Sequence, residues 1–158
     1  MAGSEKTGIE VADSKLFQKS VCILTPTRRT SPRALGKVSA LWRSVGARVL
    51  KRSPEKHDTL VAQVSHVPHL TAVGLIQVTS SGAVEIAGPG FRDATRVAAS
   101  DPELWGEICH ANAPSISRAI GDLIDELRLF QNSLKNNKIS ILRNALKSAQ
   151  RKRLGLKS

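Results

Sequence analysis

A mostly apolar stretch in the middle of this 158-residue chain carries a cluster of groups suited to acid–base chemistry. Between Ser53 and Ile76 the sequence places three of its four histidines and one aspartate: His57, Asp58, His66 and His69. On an α-helix, with about 100° per residue, Asp58, Ser65 and His69 lie within roughly 20° of one line, and His66 lies beside it. Histidine is the side chain whose ordinary pKa is closest to neutral pH. The cluster therefore indicates proton transfer or hydrogen bonding to a ligand, without naming a reaction.

The same stretch predicts a helix that must satisfy these polar groups. Ser53 is a suitable N-cap, and Pro54 suits the first turn, where its missing N–H costs nothing. Polar groups on an otherwise apolar helix need hydrogen-bond partners once they are buried. Neighbouring helices could supply these partners within an ordinary core, or a ligand could supply them. The residue types leave both interpretations open.

Two arginines follow a glycine-rich turn further along the chain. Gly88-Pro89-Gly90 permits a tight turn and close backbone approach. Arg92 and Arg96 are four residues apart, so they share a face if the segment is helical. A guanidinium group binds a carboxylate or phosphate through two hydrogen bonds, which makes the pair a candidate anion site. A solvated helix face, with Asp93 as the local partner of an arginine, explains the spacing equally well.

The elements before Ser53 predict part of an α/β sheet. Val21 to Leu24 is an apolar run closed by Thr25-Pro26, which predicts a buried strand. A helix from Thr30-Ser31-Pro32 to Gly46 and a second short strand from Ala47 to Leu50 follow. Two strands do not make a stable sheet by themselves. Residues 1–52 are therefore expected to be the C-terminal remnant of a larger α/β domain.

From Ser53 onward the sequence predicts helices alone, so the fold class is mainly α. Ser100-Asp101-Pro102-Glu103 has the pattern of a capping box and starts a helix that carries Trp105. In the next helix, apolar residues recur at steps of four and three: Ile116, Ile120, Leu123, Leu127, Phe130 and Leu134. This heptad-like seam is suited either to an intramolecular core or to a dimer interface. Asn136-Asn137 ends that helix, and a basic helix over about 138–153 completes an all-helical domain at 53–158.

The chain is strongly basic, with a formal charge of +11 and a pI of about 10.4. Such a charge raises nucleic acid as a partner. Aromatic side chains are scarce, however, and no helix-turn-helix, zinc or RNA-binding signature is present, so a basic solvated surface is the favoured interpretation. Cys22 and Cys109 are isolated, which predicts reduced thiols and no metal site in a cytoplasmic protein. No uninterrupted run of 18 apolar residues and no signal peptide is present, so we expect no membrane span.

Several segments, in this order, resemble the prephenate and arogenate dehydrogenases of tyrosine biosynthesis. They are MAGSEKTG, ILTP, LWRSVGARV, HDTLVAQVSHVPH and GPGFRDATRVAASDPELW. The resemblance implies the C-terminal remnant of a dinucleotide-binding domain over 1–52 and a helical substrate-binding and dimerisation domain over 53–158. It further implies a homodimer. It also implies oxidative decarboxylation of a cyclohexadienyl substrate, with NAD or NADP as hydride acceptor and a group that takes the hydroxyl proton.

The resemblance also assigns site residues by position. His66 and His69 stand in the SHxPH motif, and His69 is implied to bind substrate. Arg96 stands where the family grips a substrate carboxylate. Trp105 matches an aromatic residue that closes the pocket, from the same or the partner subunit. The remaining positions are two in the loop that lines the substrate pocket and a charged pair near the site: Ser4, Glu5, Asp58 and Arg92.

Two features of the family pattern are missing from these residues. In the family, His-Pro precedes the Met-Ala-Gly loop, and that histidine takes the hydroxyl proton, whereas this sequence starts at Met1. The GxGxxG phosphate-binding turn is also absent. We therefore expect a truncated chain that is inactive alone and has no certain catalytic residue. The alternatives are a non-enzymatic helical dimerisation or regulatory module and, less favoured, a basic nucleic-acid-binding protein.

Overall fold

The protein is described by a computed structural model over residues 12–156. Its elements are two strands and eight α-helices, with one π-helical turn and one 3-10 turn between helices. In chain order they are β1 (Val21–Leu24), α1 (Pro32–Ser44), β2 (Arg48–Lys51), α2 (Pro54–Val61), the π turn (Ala62–His66), α3 (Val67–Val78), α4 (Ser81–Glu85), α5 (Pro89–Thr95), the 3-10 turn (Arg96–Ala99), α6 (Pro102–Ala111), α7 (Ala113–Lys135) and α8 (Ile139–Leu154). The chain divides into two compact units between Ile116 and Ser117. This confirms the predicted fold class, mainly α with a two-stranded α/β remnant, whereas the domain boundary after residue 52 stays a prediction.

The first elements form the predicted strand–helix–strand unit. β1 and β2 pair in parallel, in a register that sets Val21 opposite Arg48. α1 connects them, and its N-terminus is capped by the Ser31 hydroxyl, which accepts from the Ala34 N–H at 3.5 Å. Parallel strands need such a crossover, because a tight turn between them would leave the second strand antiparallel to the first.

A tight turn at Gly46 brings the chain from α1 into β2. Gly46 has a φ of +86°, and its carbonyl accepts from the Lys19 N–H at 2.9 Å. The segment before β1 packs here, with the rings of Phe17 and Trp42 edge to face at 5.2 Å. Residues 14–19 form turns. The Asp13 carboxylate accepts from the Lys15 N–H at 2.8 Å, an arrangement that favours a turn over a helix.

The histidine-bearing stretch is a continuous helix, as predicted, but it contains a π turn between α2 and α3. At the end of this turn the Val67 N–H bonds to the Ala62 carbonyl, five residues back. Pro68 gives the physical reason, since its ring would clash with the carbonyl four residues earlier in an unbroken α-helix. A π turn adds one residue to the helical path and so rotates every later side chain by about 100° relative to the earlier ones.

In the described part of the chain, one helix, Pro54–Val78, is long and apolar enough to cross a membrane by length and composition. This differs from the expectation based on uninterrupted apolar runs. Core helices of soluble proteins meet the same criterion, so the observation is weak evidence for a span. The helix also carries the polar side chains of His57 and Asp58, which are costly to place in hydrocarbon.

Short helices then fold against α3. α5 and the 3-10 turn both pack on it, and α6 follows. The helix start at 102 was predicted correctly, but the capping residue is Asp101 rather than Ser100. The Asp101 carboxylate accepts from the Glu103 N–H at 2.9 Å, whereas the Ser100 hydroxyl donates back to the Val97 carbonyl at 2.8 Å. Ser100 thus closes the 3-10 turn, which leaves the cap to Asp101.

The second unit consists of most of α7 together with α8. Asn137 takes a φ of +52°, and the Lys138 N–H bonds to the Ser133 carbonyl at 2.8 Å, so α7 ends at the predicted Asn-Asn pair. The seam of α7 is only partly covered: Ile116 is buried, whereas Leu127 and Leu134 are 52% and 59% exposed. An exposed row of leucines on a long helix is an apolar surface of the kind that other protein surfaces cover.

Candidate functional site

His69 is the most deeply placed of the candidate residues. It lies on α3 and is 5% exposed. Its imidazole stacks on the indole of Trp105 from α6, with ring centroids 3.4 Å apart and planes 11° apart. Burial lowers the pKa of His69 below its ordinary value, because the charged imidazolium loses hydration there. His69 is therefore a neutral imidazole at pH 7.

An open cavity of about 300 Å³ adjoins this stacked pair. Residues of α3, the end of the 3-10 turn and α6 line it, and most are apolar: His69, Leu70, Val73, Ala98, Ser100, Pro102, Trp105, Gly106 and Cys109. An apolar cavity with a few polar groups at its wall is the usual form of a small-molecule site. The size suits a single six-membered ring.

His66 lies beside the pair, at the end of the π turn. Its ring meets Trp105 edge to face, with centroids 6.1 Å apart. Its Nδ1 lies 3.3 Å from the side-chain Nδ2 of Asn112. The pKa of His66 is lowered mainly by burial and further by the positive charge that His57 can carry, while the Asp58 carboxylate acts in the opposite direction. Two neutral imidazoles thus flank Trp105.

Asp58 and His57 contact each other through their side chains and are not part of the stacked cluster. The Asp58 Oδ1 lies 2.9 Å from Nδ1 of His57, and both side chains are partly open to solvent. The backbone carbonyl of Asp58 accepts from Asn112 Nδ2 at 2.8 Å. The resemblance implies that Asp58 and Arg92 are a charged pair near the site. The Asp58 carboxylate contacts His57, and its role at the site stays a prediction.

The two arginines lie on the segment next to the cavity. Arg92 is exposed on α5, and Arg96 is exposed where α5 passes into the 3-10 turn. Ala98, two residues after Arg96, lines the cavity. The buried Thr95 hydroxyl donates to the Phe91 carbonyl at 2.8 Å and so stabilises the end of α5. The four-residue spacing predicted that the arginines share one helix face, and the change of helix type at Arg96 modifies that geometry.

The remaining site predictions have different outcomes. Ser4 and Glu5 lie outside the described residues. Asn112 is not among the predicted site residues, although its side chain contacts His66. The signal was weak, since an asparagine at a helix end is ordinary and only the tertiary structure shows what it meets. Within residues 12–156, no group of three or more histidine, cysteine or acidic side chains could hold a metal ion.

A second, smaller cavity of about 190 Å³ lies at the carboxyl end of β1. Residues from the end of this strand to the first turns of α1 line it: Leu24, Thr25, Pro26, Thr30, Ala34, Leu35 and Val38. Ligands of open α/β sheets bind outside the carboxyl ends of the strands. The Thr30 hydroxyl already accepts from the Thr27 N–H at 2.9 Å, so the cavity is mainly an apolar surface.

Two protein-family models match the chain. The model described as the prephenate dehydrogenase dimerization domain matches residues 53–148, and the model described as the prephenate dehydrogenase nucleotide-binding domain matches residues 1–51. The first match covers more than half of the chain and includes the stacked pair, His66 and both arginines.

Curated relatives and solved structures agree with the family models. A cyclohexadienyl dehydrogenase of Zymomonas mobilis is 34% identical over 100% of this chain and 56% of its own length. A prephenate dehydrogenase of Bacillus subtilis is 32% identical over 99% of this chain and 44% of its own length. The chain therefore spans about half the length of the curated relatives it matches.

Among solved structures, prephenate dehydrogenase from A. aeolicus, in complex with hydroxyphenyl propionate and NAD+, superposes with a TM-score of 0.88 at 33% identity, over 98% of this chain and 56% of that one. Arogenate dehydrogenase of Synechocystis gives a TM-score of 0.84 at 28% identity, over 96% of this chain and 58% of that one.

Proposed function

This chain belongs to the prephenate dehydrogenase family, and we propose that its residues form the substrate-binding and dimerisation part of a prephenate or arogenate dehydrogenase. The reaction is the NAD(P)-dependent oxidative decarboxylation of a cyclohexadienyl substrate in tyrosine biosynthesis. The observation that carries the proposal is the buried His69 stacked on Trp105 at the wall of an apolar cavity. The cavity takes the ring of the substrate, and the polar groups around it hold the substituents.

The neutral histidines supply directional hydrogen bonds at the cavity. A neutral imidazole has one N–H donor and one acceptor nitrogen, so it can bind a hydroxyl or carboxylate without a permanent charge. His69 and His66 are in this form at pH 7 because burial lowers the pKa of each. They therefore orient the substrate hydroxyl group and carboxylates for reaction.

Arginine side chains are the proposed carboxylate anchors. Arg96 begins the 3-10 turn that ends at the cavity, and its guanidinium can bind a carboxylate through two parallel hydrogen bonds. Arg92 and Asp58 support the site from further out. Ser4 and Glu5 are proposed to line the same substrate pocket. The charge of the arginine offsets the dehydration of a substrate carboxylate as it enters the apolar cavity.

The residues at the carboxyl end of β1 fit part of a dinucleotide but not all of it. Their apolar cavity suits the flat face of a ring, and we propose that Leu24, Leu35 and Val38 pack against one ring of NAD or NADP. When bound, the cofactor accepts the hydride that the substrate loses. The sequence offers no GxGxxG turn to hold the phosphates. We therefore expect these 158 residues alone to be catalytically inactive.

We also propose that the chain is a cytoplasmic homodimer. The exposed seam of α7, with Leu127 and Leu134, supplies an apolar surface of the right periodicity for a second copy. The matched family model describes a dimerization domain. A non-enzymatic dimerisation module is the second candidate function, since the same seam favours it. If the chain is such a module, we expect it to form a dimer that does not bind prephenate.

Substrate binding gives the decisive experiment. We would add prephenate and arogenate separately to the histidine-labelled protein and follow the imidazole signals by NMR. Binding is expected to shift the signals of His66 and His69 and to leave that of His110, on the exposed face of α6, unchanged. His69→Asn should weaken binding about tenfold or more, because a buried polar partner is lost. His110→Asn is the matched control.

Two results would count against the proposal. Equal affinity of the His69→Asn and wild-type proteins would exclude His69 from the site. Failure of both substrates to shift His66 or His69 at millimolar concentration would leave only the dimerisation module. The expectation of inactivity has its own test, because any ordinary rate of NAD(P) reduction by the 158-residue protein would contradict it.

A further inference from the structure

The buried side chain of Asn112 contacts both Asp58 and His66. Asn112 lies at the end of α6 and is 8% exposed. Its Nδ2 lies 2.8 Å from the backbone carbonyl oxygen of Asp58 and 3.3 Å from Nδ1 of His66. These groups are 54 and 46 residues away in sequence, so both contacts are tertiary.

The orientation of the Asn112 amide follows from its first contact. The Asp58 carbonyl oxygen can only accept hydrogen bonds, so the amide atom that faces it must be the NH2 group and not the oxygen. This carbonyl has two lone pairs and also accepts from the Ala62 N–H within the helix. One amide hydrogen is thereby directed at Asp58, and the other is left for the second contact.

The second contact then determines the state of His66. An NH2 hydrogen directed at Nδ1 requires a lone pair on that nitrogen, so the ring proton must be on Nε2. We propose that Asn112 is a positioning residue that holds His66 as the neutral imidazole with its proton on Nε2. With that tautomer, the N–H donor of His66 is Nε2, the ring nitrogen that does not face Asn112, and this is the donor that the proposed function leaves for the substrate.

The π turn explains how one amide reaches both groups. In an unbroken α-helix, residues 58 and 66 would point about 80° apart around the axis. The extra residue of the π turn removes about 100°, which leaves His66 within roughly 20° of the line through Asp58. The π turn therefore brings both groups to the side of the helix that the Asn112 amide reaches.

The charged groups around His66 act on the same equilibrium. His57 opposes a positive charge on His66, and the Asp58 carboxylate favours one, while Trp105 presents an uncharged ring edge. If Nδ1 of His66 were protonated, its N–H and the Asn112 NH2 group would both be donors at this contact, and neither could accept. Asn112 and burial therefore both favour the neutral form of His66, whereas the Asp58 carboxylate favours the protonated form.

The tautomer can be measured directly on the 158-residue protein. Long-range 1H–15N NMR correlation of labelled histidines distinguishes a protonated from an unprotonated Nδ1. In the wild-type protein at pH 7.5, we expect His66 to carry its proton on Nε2 only. In Asn112→Asp, a carboxylate faces Nδ1 instead, so we expect a proton on Nδ1 and a higher His66 pKa. Asn136→Asp is the matched control, since Asn136 donates to the Asn132 carbonyl on an exposed surface.

Either measurement can overturn the inference. A proton on Nδ1 of wild-type His66 would contradict it without any variant, even if Asn112→Asp failed to fold. An unchanged tautomer and titration of His66 in a folded Asn112→Asp protein would contradict it as well. A correct tautomer together with no prephenate binding would instead refute the proposed function alone.

Discussion

The imidazole of His69 lies flat against the indole of Trp105, with their planes 11° apart and their centroids 3.4 Å apart. Two opposing effects act on a histidine in this position. The face of an indole attracts a cation, which favours the imidazolium, by about 0.5–2 kcal/mol. Loss of water around the ring disfavours the imidazolium, and this burial lowers the pKa of His69. Trp105 contributes to the burial, because its indole covers one face of the imidazole.

Removal of this cover should raise the pKa of His69. In Trp105→Leu, water reaches the imidazole, so we expect its pKa to move up towards the ordinary histidine value of about 6.5. NMR titration of the histidine ring protons measures this shift. Leu104→Ala, on the neighbouring exposed position of α6, should leave the titration of His69 unchanged. A lower pKa in a folded Trp105→Leu protein would show that stacking favours the imidazolium more than the indole cover disfavours it. An unaltered pKa would show that Trp105 does not set the proton affinity of His69.

His66 and His69 also predict how stability depends on pH. His66 and His69 have pKa values lowered by folding, so between those values and about 6.5 the unfolded chain binds more protons than the folded one. The free energy of unfolding should therefore be greatest above pH 6.5 and fall as the pH is lowered through the folded pKa values. Each histidine contributes a slope of at most about 1.4 kcal/mol per pH unit.

Urea unfolding at pH 7.5 and 5.5 checks this dependence. His69→Gln should flatten the loss of stability, whereas His110→Gln should keep it. Glu55 also has a lowered pKa, set mainly by hydrogen bonds with the backbone and with Ser53, but it titrates below about 4.5, outside this range. Stability that is constant or rises on going from pH 7.5 to 5.5 would contradict the assignment of neutral, buried histidines.

The elements of this fold are predictable from sequence because their determinants are local. Ser31-Pro32 and Ser53-Pro54 cap helices where the structure shows them, and Gly46 ends α1 with the left-handed φ that glycine adopts readily. Each of these depends on a few neighbouring residues. The shift of the cap from Ser100 to Asp101 shows the limit, since two adjacent capping residues compete and the preceding turn decides between them.

The residue types of the candidate site can be read from the sequence, but their geometry cannot. His69 and Trp105 are 36 residues apart in sequence, so no local pattern shows that their rings stack. The straight-helix projection grouped Asp58 with His69, whereas the π turn rotates His66 to the side that Asn112 reaches. Pro68 is the residue that indicates the π turn in the sequence, because its ring excludes the ordinary α-helical hydrogen-bond pattern just before it.

Gly46 offers a test of the turn between α1 and β2. At its φ of +86°, a Cβ would lie 3.1 Å from Cγ and 3.2 Å from Cα of Gln18. Because one of those neighbours is backbone, the contact cannot be relieved by a rotamer change alone. We expect Gly46→Ala to lower the free energy of unfolding by about 2 kcal/mol, from the left-handed backbone and the crowding together. Urea denaturation measures the loss.

Gly36 is the matched control for that substitution. It lies inside α1, and a Cβ added there would meet no atom within 4 Å, so Gly36→Ala should raise the free energy of unfolding by about 0.5–1 kcal/mol. Opposite signs for the two glycines are the expected result. A Gly46→Ala protein as stable as the wild type would mean that residues 18 and 46 separate at little cost.

The seam of α7 tests the proposed assembly. Leu127 is 52% exposed at the centre of the seam, and a second copy would bury it. Leu127→Glu should convert a micromolar dimer to monomers in sedimentation experiments, because a carboxylate in an apolar interface loses hydration without a partner. Asn132→Glu adds the same charge at an exposed position of α7 off the seam, and it should leave the dimer intact. If the wild-type protein sediments only as a monomer at these concentrations, the seam is excluded as a self-association surface. If Leu127→Glu forms dimers as stable as those of the wild type, the dimer interface lies elsewhere.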